Sequence, residues 1–366
     1  MSIRTAYSTK DLPEGVADLR AQCGQRVPPV VLFFGSSRYD AGQLSALMRE
    51  YFPGTHLVGC STAGEIAGTQ LLTASVVAMF LDEDLVERAA VAVVPKMSAG
   101  PRVRDALREL ESQFQAPLSS LDLERCVGVI LMDGMSGAEE ELMDKLGDAT
   151  DIPFIGGSAG DDLKFQKTHV LADGRAYSDA AVLLLLRLKR GFDIVKTQSF
   201  RTSCKTLLAT KVDEARRMVI EFDHQPALDA YARALGVSRA EAAAHFFEHP
   251  LGLMAAGEPF VRSPQRTEGS AIVFYCRIQE GMELELLDAT DILGDTRKAV
   301  EARKAAGAVQ GIIDFQCILR TLQLRKEQKC ERYGEIFRGI PAVGFSTYGE
   351  AYLGHINQTS TMLLFR

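Results

Sequence analysis

Val58-Gly59-Cys60-Ser61-Thr62-Ala63-Gly64-Glu65 ends one apolar segment of this chain. Two later stretches repeat its design: Ile155-Gly156-Gly157-Ser158-Ala159-Gly160-Asp161 and Val343-Gly344-Phe345-Ser346-Thr347-Tyr348-Gly349-Glu350. Each is a glycine turn with serine two residues after its first glycine and a carboxylate five or six residues after it. A further apolar run lies upstream of each: Val30 to Phe34, Val127 to Met132 and Ile312 to Phe315. Run and turn are 29 residues apart in the first two copies (Val30 to Gly59, Val127 to Gly156) and 32 in the third (Ile312 to Gly344). A repeat of this length is one supersecondary unit used several times, and it sets the architecture before any single residue is weighed.

Between run and turn the spacing changes. Leu44, Leu47, Met48, Tyr51 and Phe52 recur at helical intervals, and Pro53-Gly54 stops that helix. Glu139 to Leu146 fills the same place in the second copy, and Arg102 to Phe114 predicts an amphipathic helix ahead of it. Val76 to Leu81 and Ala181 to Leu188 read as buried strands, with Asp173-Gly174 as a hairpin turn. Strands alternating with helices and hairpins predict an α/β fold of two related layered domains with mixed sheets. The expected division is an N-terminal extension over 1–29, one domain over 30–200 and another over 201–366. The latter carries a helical insert at about 213–250, read as helices at Asp213 to Ile220, Ala227 to Leu235 and Arg239 to His249. Ser238 would cap the last of these and Pro250 would end it.

Composition narrows the class. The 366 residues are 46% hydrophobic and 24% charged, ordinary for a globular protein. The longest apolar run, Ala180 to Leu186, is too short to span a bilayer, and Met1 to Thr5 lacks the apolar core of a secretion signal. A net charge of −7 argues against a nucleic-acid surface. Seven scattered cysteines without a Cys-x-x-Cys pair fit free thiols in a reducing cytoplasm.

Glycine lets backbone N–H groups face a ligand with no β-carbon in the way, and serine and threonine add short hydroxyls. The turns therefore offer Ser61, Thr62, Glu65, Ser158, Asp161, Ser346, Thr347, Tyr348 and Glu350 as candidates for a small polar ligand. The same turns also serve as tight connections whose side chains satisfy their own backbone. Gly156-Gly157-Ser158-Ala159-Gly160 has the Gly-x-Ser-x-Gly spacing of a hydrolase nucleophile elbow, but the helix that the elbow requires does not follow it.

Six histidines remain to be placed. His245-Phe246-Phe247-Glu248-His249 has the His-x-x-Glu-His spacing of a zinc hydrolase: two imidazoles on one helix face with Glu248 as general base. His355, Asn357, Thr359 and Thr361 would share one face of a terminal strand, a polar stripe that is either solvent-facing or a buried site with an imidazole for a metal or haem iron.

With Phe154 to Asp162, His249-Pro250-Leu251-Gly252 and His355-Ile356-Asn357-Gln358-Thr359 added to the first and third turns, the chain resembles the FIST family over about 30–366. That resemblance implies a sensory module of N-terminal and C-terminal parts that binds small ligands, amino acids among them. The closing His-Ile-Asn-Gln-Thr segment resembles the bacterial subset that holds haem b non-covalently and senses nitric oxide. That subset regulates a sensor histidine kinase or a cyclic-di-GMP enzyme in trans. The implied axial ligand is His355, with His249 second, and a homodimer is a further expectation. The alternative is a haem-free sensor of an amino-acid-like metabolite.

Overall fold

A computed structural model describes residues 2–255 and 257–366. The chain is mixed α/β and forms two compact units. One comprises residues up to Thr197, Thr296–His355 and Ser360–Arg366; the other comprises Gln198–Asp295 and Ile356–Thr359.

All three repeats lie in the first unit, and each builds a six-stranded sheet of the same order. At the centre of every sheet are the two repeat strands, parallel and joined by a helical crossover. They are Val30–Ser36 with His56–Thr62, Cys126–Met132 with Phe154–Ser158, and Gly311–Cys317 with Ala342–Thr347. Beside the first of each pair runs an antiparallel strand: Val76–Leu81, Ala180–Leu188 or Thr359–Phe365. An outer strand completes that side: Ile3–Ser8, Val86–Pro95 or Phe192–Gln198. The N-terminal stretch is thus part of the first sheet, with helix Glu14–Cys23 against it, rather than an appendage.

The other side of each sheet is supplied by a different repeat. The hairpin after the first turn, Glu65–Ala67 with Gln70–Leu72, pairs with the third repeat's turn strand. The hairpin after the second turn, Val170–Ala172 with Arg175–Tyr177, pairs with the first repeat's. The third, beginning with Glu350–Tyr352, pairs with the second repeat's. This cyclic exchange leaves no repeat complete by itself.

Side-chain alternation then divides each sheet into two faces. Leu32, Phe34, Val129, Leu131, Phe315 and Phe345 face one core shared by all three sheets, where Phe34 and Phe345 lie 4.7 Å apart. On the outer faces Val31 and Phe33 pack under helix Ala41–Tyr51, and Ile130 and Leu183 under helices Val103–Phe114 and Glu139–Gly147. Sheets covered on both faces explain why the repeat strands read as continuous apolar runs. The helix over the first sheet begins where Asp40 accepts a hydrogen bond from Gln43 N at 2.7 Å.

The second unit has its own core around Val219, Phe222, Tyr231, Phe246, Ile272 and Leu284. It is mostly strand, so the expected helical insert is corrected. Asp213 to Ile220 is not a helix: strand Phe200–Asp213 turns through Glu214–Arg216, and Arg217 takes a left-handed φ of 49°. Strand Met218–Phe222 then pairs back along the first. Glu-Ala-Arg-Arg favours helix locally, but pairing buries Met218, Val219 and Phe222, and that burial prevails. Ala227–Leu235 is helical and ends at Gly236, whereas Arg239–Ala242 gives way to a 3₁₀ turn, Ala243–His245. Among the described residues no helix is long and apolar enough to cross a membrane.

Candidate functional site

The three glycine turns meet. Gly160 N donates to Ser61 O at 3.0 Å and Asp162 N to Thr62 O at 3.1 Å, joining the second turn to the first. Ser346 N donates to Gly64 O at 2.7 Å, and Ala63 N to Ser346 O at 3.3 Å, joining first and third. Ser158 N donates to Gly349 O at 2.8 Å and Tyr348 N to Ser158 O at 3.1 Å, which closes the ring. The N–H groups expected to face a ligand are therefore spent on the other turns.

The side chains are likewise engaged. Ser61 Oγ accepts from His169 N at 2.9 Å. Thr62 Oγ1 donates to the Glu65 carboxylate, which also accepts from Ser75 N at 3.1 Å and Ser75 Oγ at 2.6 Å. Burial pushes the Glu65 carboxyl up to about 7, against these hydrogen bonds. The third turn repeats the pattern, with Thr347 Oγ1 donating to Glu350. Ser346 Oγ shares a 2.8 Å hydrogen bond with Thr321 Oγ1. Ser158 Oγ is fully buried with no hydrogen-bond partner among the described residues, so no base activates it.

Asp161 organises the loop after the second turn. It accepts from the backbone N–H groups of Phe165, Gln166 and Lys167 at 2.7–3.0 Å and from Tyr348 Oη at 2.5 Å. Burial alone would raise its carboxyl, but the Tyr348 hydroxyl and the three N–H groups outweigh it and hold the carboxyl below its ordinary value. Leu163 N donates back to Tyr348 Oη at 2.9 Å, and Phe165 stacks on the Tyr348 ring. Tyr348→Phe is expected to cost about 1–3 kcal/mol in urea unfolding, because it strips one acceptor and one donor from this loop.

His355 is buried, and its surroundings do not fit a haem iron. Its Nδ1 lies 3.3 Å from Glu140 Oε1. A β-carbon built on Gly349 would stand 2.0 Å from Nε2, 2.7 Å from Cε1 and 3.0 Å from Cδ2. Those distances describe the place an iron on Nε2 would take, at a metal–nitrogen length of about 2.0–2.1 Å. Iron there would lie one carbon–carbon bond from the Gly349 backbone. The polar stripe also dissolves. The strand breaks at Asn357 and Gln358, where Gln358 has a φ of 50°, so His355, Asn357, Thr359 and Thr361 share no continuous face. All four are buried. Asn357 Oδ1 accepts from Cys276 Sγ, and Asn357 N donates to Val261 O at 3.4 Å.

His249 lies on a half-buried turn, its Nδ1 3.1 Å from Asp288 Oδ1 and 3.3 Å from Leu287 O. Its companions are His245 and Glu248, and a carboxylate there does not make the apolar slot that haem needs. The pair His245 and His249 does not ride on an α-helix as the spacing predicts, because the 3₁₀ turn and Pro250 intervene.

The outer face of the third sheet carries a polar cluster that no motif in the sequence marks. Asp314 accepts from Tyr333 Oη at 2.8 Å and Ser360 Oγ at 2.6 Å. The buried Arg320 donates to Thr296 Oγ1 at 2.8 Å, with Gln316 beside it. In register, Asp314 opposite Gly344 stands where Phe33 and Ile130 stand opposite Gly59 and Gly156. A carboxylate where the other copies are apolar was the available signal.

An opening in the first unit lies between helix Glu139–Gly147 and the third repeat's hairpin. It is a groove of about 680 Å³ whose lining includes Met143, Leu146, Ile152, Phe154 and Tyr352, with Asp144, Asp148 and Asp151 among its polar groups. Asp148 also borders a second groove of about 440 Å³, where Arg102, Arg104, Arg108 and Lys145 gather.

Comparison with known proteins agrees with the repeat and its turns. The FIST N domain matches residues 29–225 and the FIST C domain residues 227–352, a seam within the second compact unit. An uncharacterized protein of Methanocaldococcus jannaschii is 26% identical over 286 residues, covering 71% of this chain and 53% of its own length. The chain thus spans about half the length of that curated relative. Together the two domain matches extend over the three glycine turns and nearly all that lies between them: the chain belongs to the FIST family, whose domains are signalling sensor domains.

Proposed function

We propose that this chain is a sensor of an amino-acid-like metabolite, read in the groove beside Tyr352-Leu353-Gly354, and that it passes the signal to a partner protein. The observation that carries this reading is the groove itself. Its size is that of a small-molecule site, and its lining combines apolar side chains with a few polar groups. Asp148 and Asp151 suit an ammonium group, Met143, Leu146 and Phe154 an apolar side chain, and the adjoining Arg102, Arg104 and Arg108 a carboxylate. The groove wall is a hairpin under backbone tension: Leu353 is 75% exposed at a φ of 53°. From there the chain passes His355 into the segment Ile356–Thr359, which belongs to the second unit. A ligand that closes on the hairpin acts on the segment by which the chain re-enters that unit.

The resemblance supplies the partner class, a sensor histidine kinase or a cyclic-di-GMP enzyme. It also supplies the competing reading, haem b with nitric oxide as ligand. That reading requires Gly349 to move away from His355, or His249 to leave its carboxylate surroundings.

Thermal-shift measurements across an amino-acid panel, with haem as a parallel arm, separate the two. Stabilisation by an amino acid, lost in Asp148→Asn and Asp151→Asn, is the expected result. A Soret band that shifts with nitric oxide and disappears in His355→Ala, without stabilisation by any metabolite, would replace it with the haem reading.

A further inference from the structure

We propose that His245, Glu248 and His249 form a second, independent site, one that binds a first-row divalent metal ion such as Zn²⁺. A potential ligand atom from each side chain lies within 4.8 Å of the other two. Around Zn²⁺ at bonds of about 2.0–2.1 Å, neighbouring ligands stand roughly 3.4 Å apart. Glu248 is exposed and both histidines are half-exposed, so none of the three is locked in the core.

The backbone is already set for it. His249 N donates to His245 O at 2.9 Å, closing one turn around Phe246, Phe247 and Glu248. The two imidazole centroids lie 6.0 Å apart. The turn is pinned from below: Phe246 is buried with its ring 5.2 Å from that of Tyr231, and Tyr231 Oη donates to His249 O at 2.7 Å. The core therefore holds the turn while His245, Glu248 and His249 remain in reach of solvent.

The tautomer of His249 is the second observation. Both neighbours of Nδ1 are acceptors, the Asp288 carboxylate and the Leu287 carbonyl. Nδ1 must therefore carry the hydrogen, which leaves the lone pair on Nε2 for a metal. A carboxylate behind a ligating imidazole fixes its orientation and raises its basicity. Asp288 is thus a positioning residue. Two imidazoles and one carboxylate favour Zn²⁺, Co²⁺, Ni²⁺ or Fe²⁺ over Mg²⁺ or Ca²⁺, and three protein ligands leave coordination positions open to water or a small anion.

The test uses the full chain, stripped with chelator, kept reduced, and titrated with Co²⁺ for its visible d–d bands and with Zn²⁺ by calorimetry. One ion per chain is expected, with Zn²⁺ displacing Co²⁺. Binding should be lost in His245→Ala and His249→Ala and weakened about 10–100-fold in Asp288→Asn. Cys204→Ser, which removes the exposed thiol, should bind as the parent does. Circular dichroism of the metal-free variants should match the parent, because none of the three ligands is a core residue. Cobalt bands that survive in both histidine variants, or no band in the parent, would overturn the site. Unaltered affinity in Asp288→Asn would overturn the positioning role.

Discussion

Replacing Gly59, Gly156 or Gly344 by alanine is expected to cost more than about 3 kcal/mol each. Each glycine lies opposite a residue of its parallel neighbour: Phe33, Ile130 and Asp314. A β-carbon would stand 2.2, 1.7 and 2.0 Å from those carbonyl oxygens. None of the three has a positive φ, so the cost lies in contact and not in torsion. Overpacking in a core that can yield costs about 1–3 kcal/mol. Here the obstacle is mid-strand backbone, which cannot rotate aside, and relief requires the central pair of a sheet to part. For a chain of this size a loss above 3 kcal/mol lowers the melting temperature by roughly 4 °C or more. Gly147→Ala is the control, since nothing lies within 4 Å of its β-carbon position and its φ is ordinary. Melting of all three variants within about 2 °C of the parent would show that the strands relax freely, and that the glycines recur for another reason.

These glycines also explain what the sequence makes legible. A close parallel approach demands glycine at one register position per copy, so the repeat is written in the chain and the α/β class follows from it. The pairing between repeats is not written there. The exchanged strands Glu65–Ala67 and Val170–Ala172 are three residues long, too short for periodicity to reveal, and their partners are distant in sequence. The site was harder still. Ser61, Thr62, Glu65, Thr347 and Glu350 look like ligand groups in isolation, yet each finds a partner within the fold, and a spent hydroxyl reads in sequence like a free one. His355 is an imidazole beside a turn, but both of its nitrogens face protein. The groove residues Asp148 and Asp151 lie in an unremarkable polar stretch after a helix, and nothing local marks them.

Asp314→Asn is expected to stabilise the protein at neutral pH and above, and to do so less as the solution is acidified. Burial is the chief cause that lifts the Asp314 carboxyl from 3.8 to about 6, against hydrogen bonds from Ser360 and Tyr333 and the nearby Arg320 charge. A folded-state pKa above the unfolded value means that folding takes up a proton between those limits. The stability linked to that proton is fully present below about 3.8 and is lost as pH rises through about 6. The loss amounts to about 3 kcal/mol, of which some 2 kcal/mol falls between pH 4.5 and pH 8. Asparagine titrates nothing, and both partners are hydroxyls that can reverse their hydrogen bonds to accept from its amide. The advantage of the variant over the parent should therefore widen by about 2 kcal/mol between urea unfolding at pH 4.5 and at pH 8. Glu65, raised from 4.5 to about 7 in the same sense, titrates in both proteins and cancels in the comparison. A difference that stays constant across this range would mean that Asp314 is ionised throughout in the folded state. The buried Arg320 would then be its counter-charge, and the outer face of the third sheet an ion pair rather than a neutral hydrogen-bonded cluster.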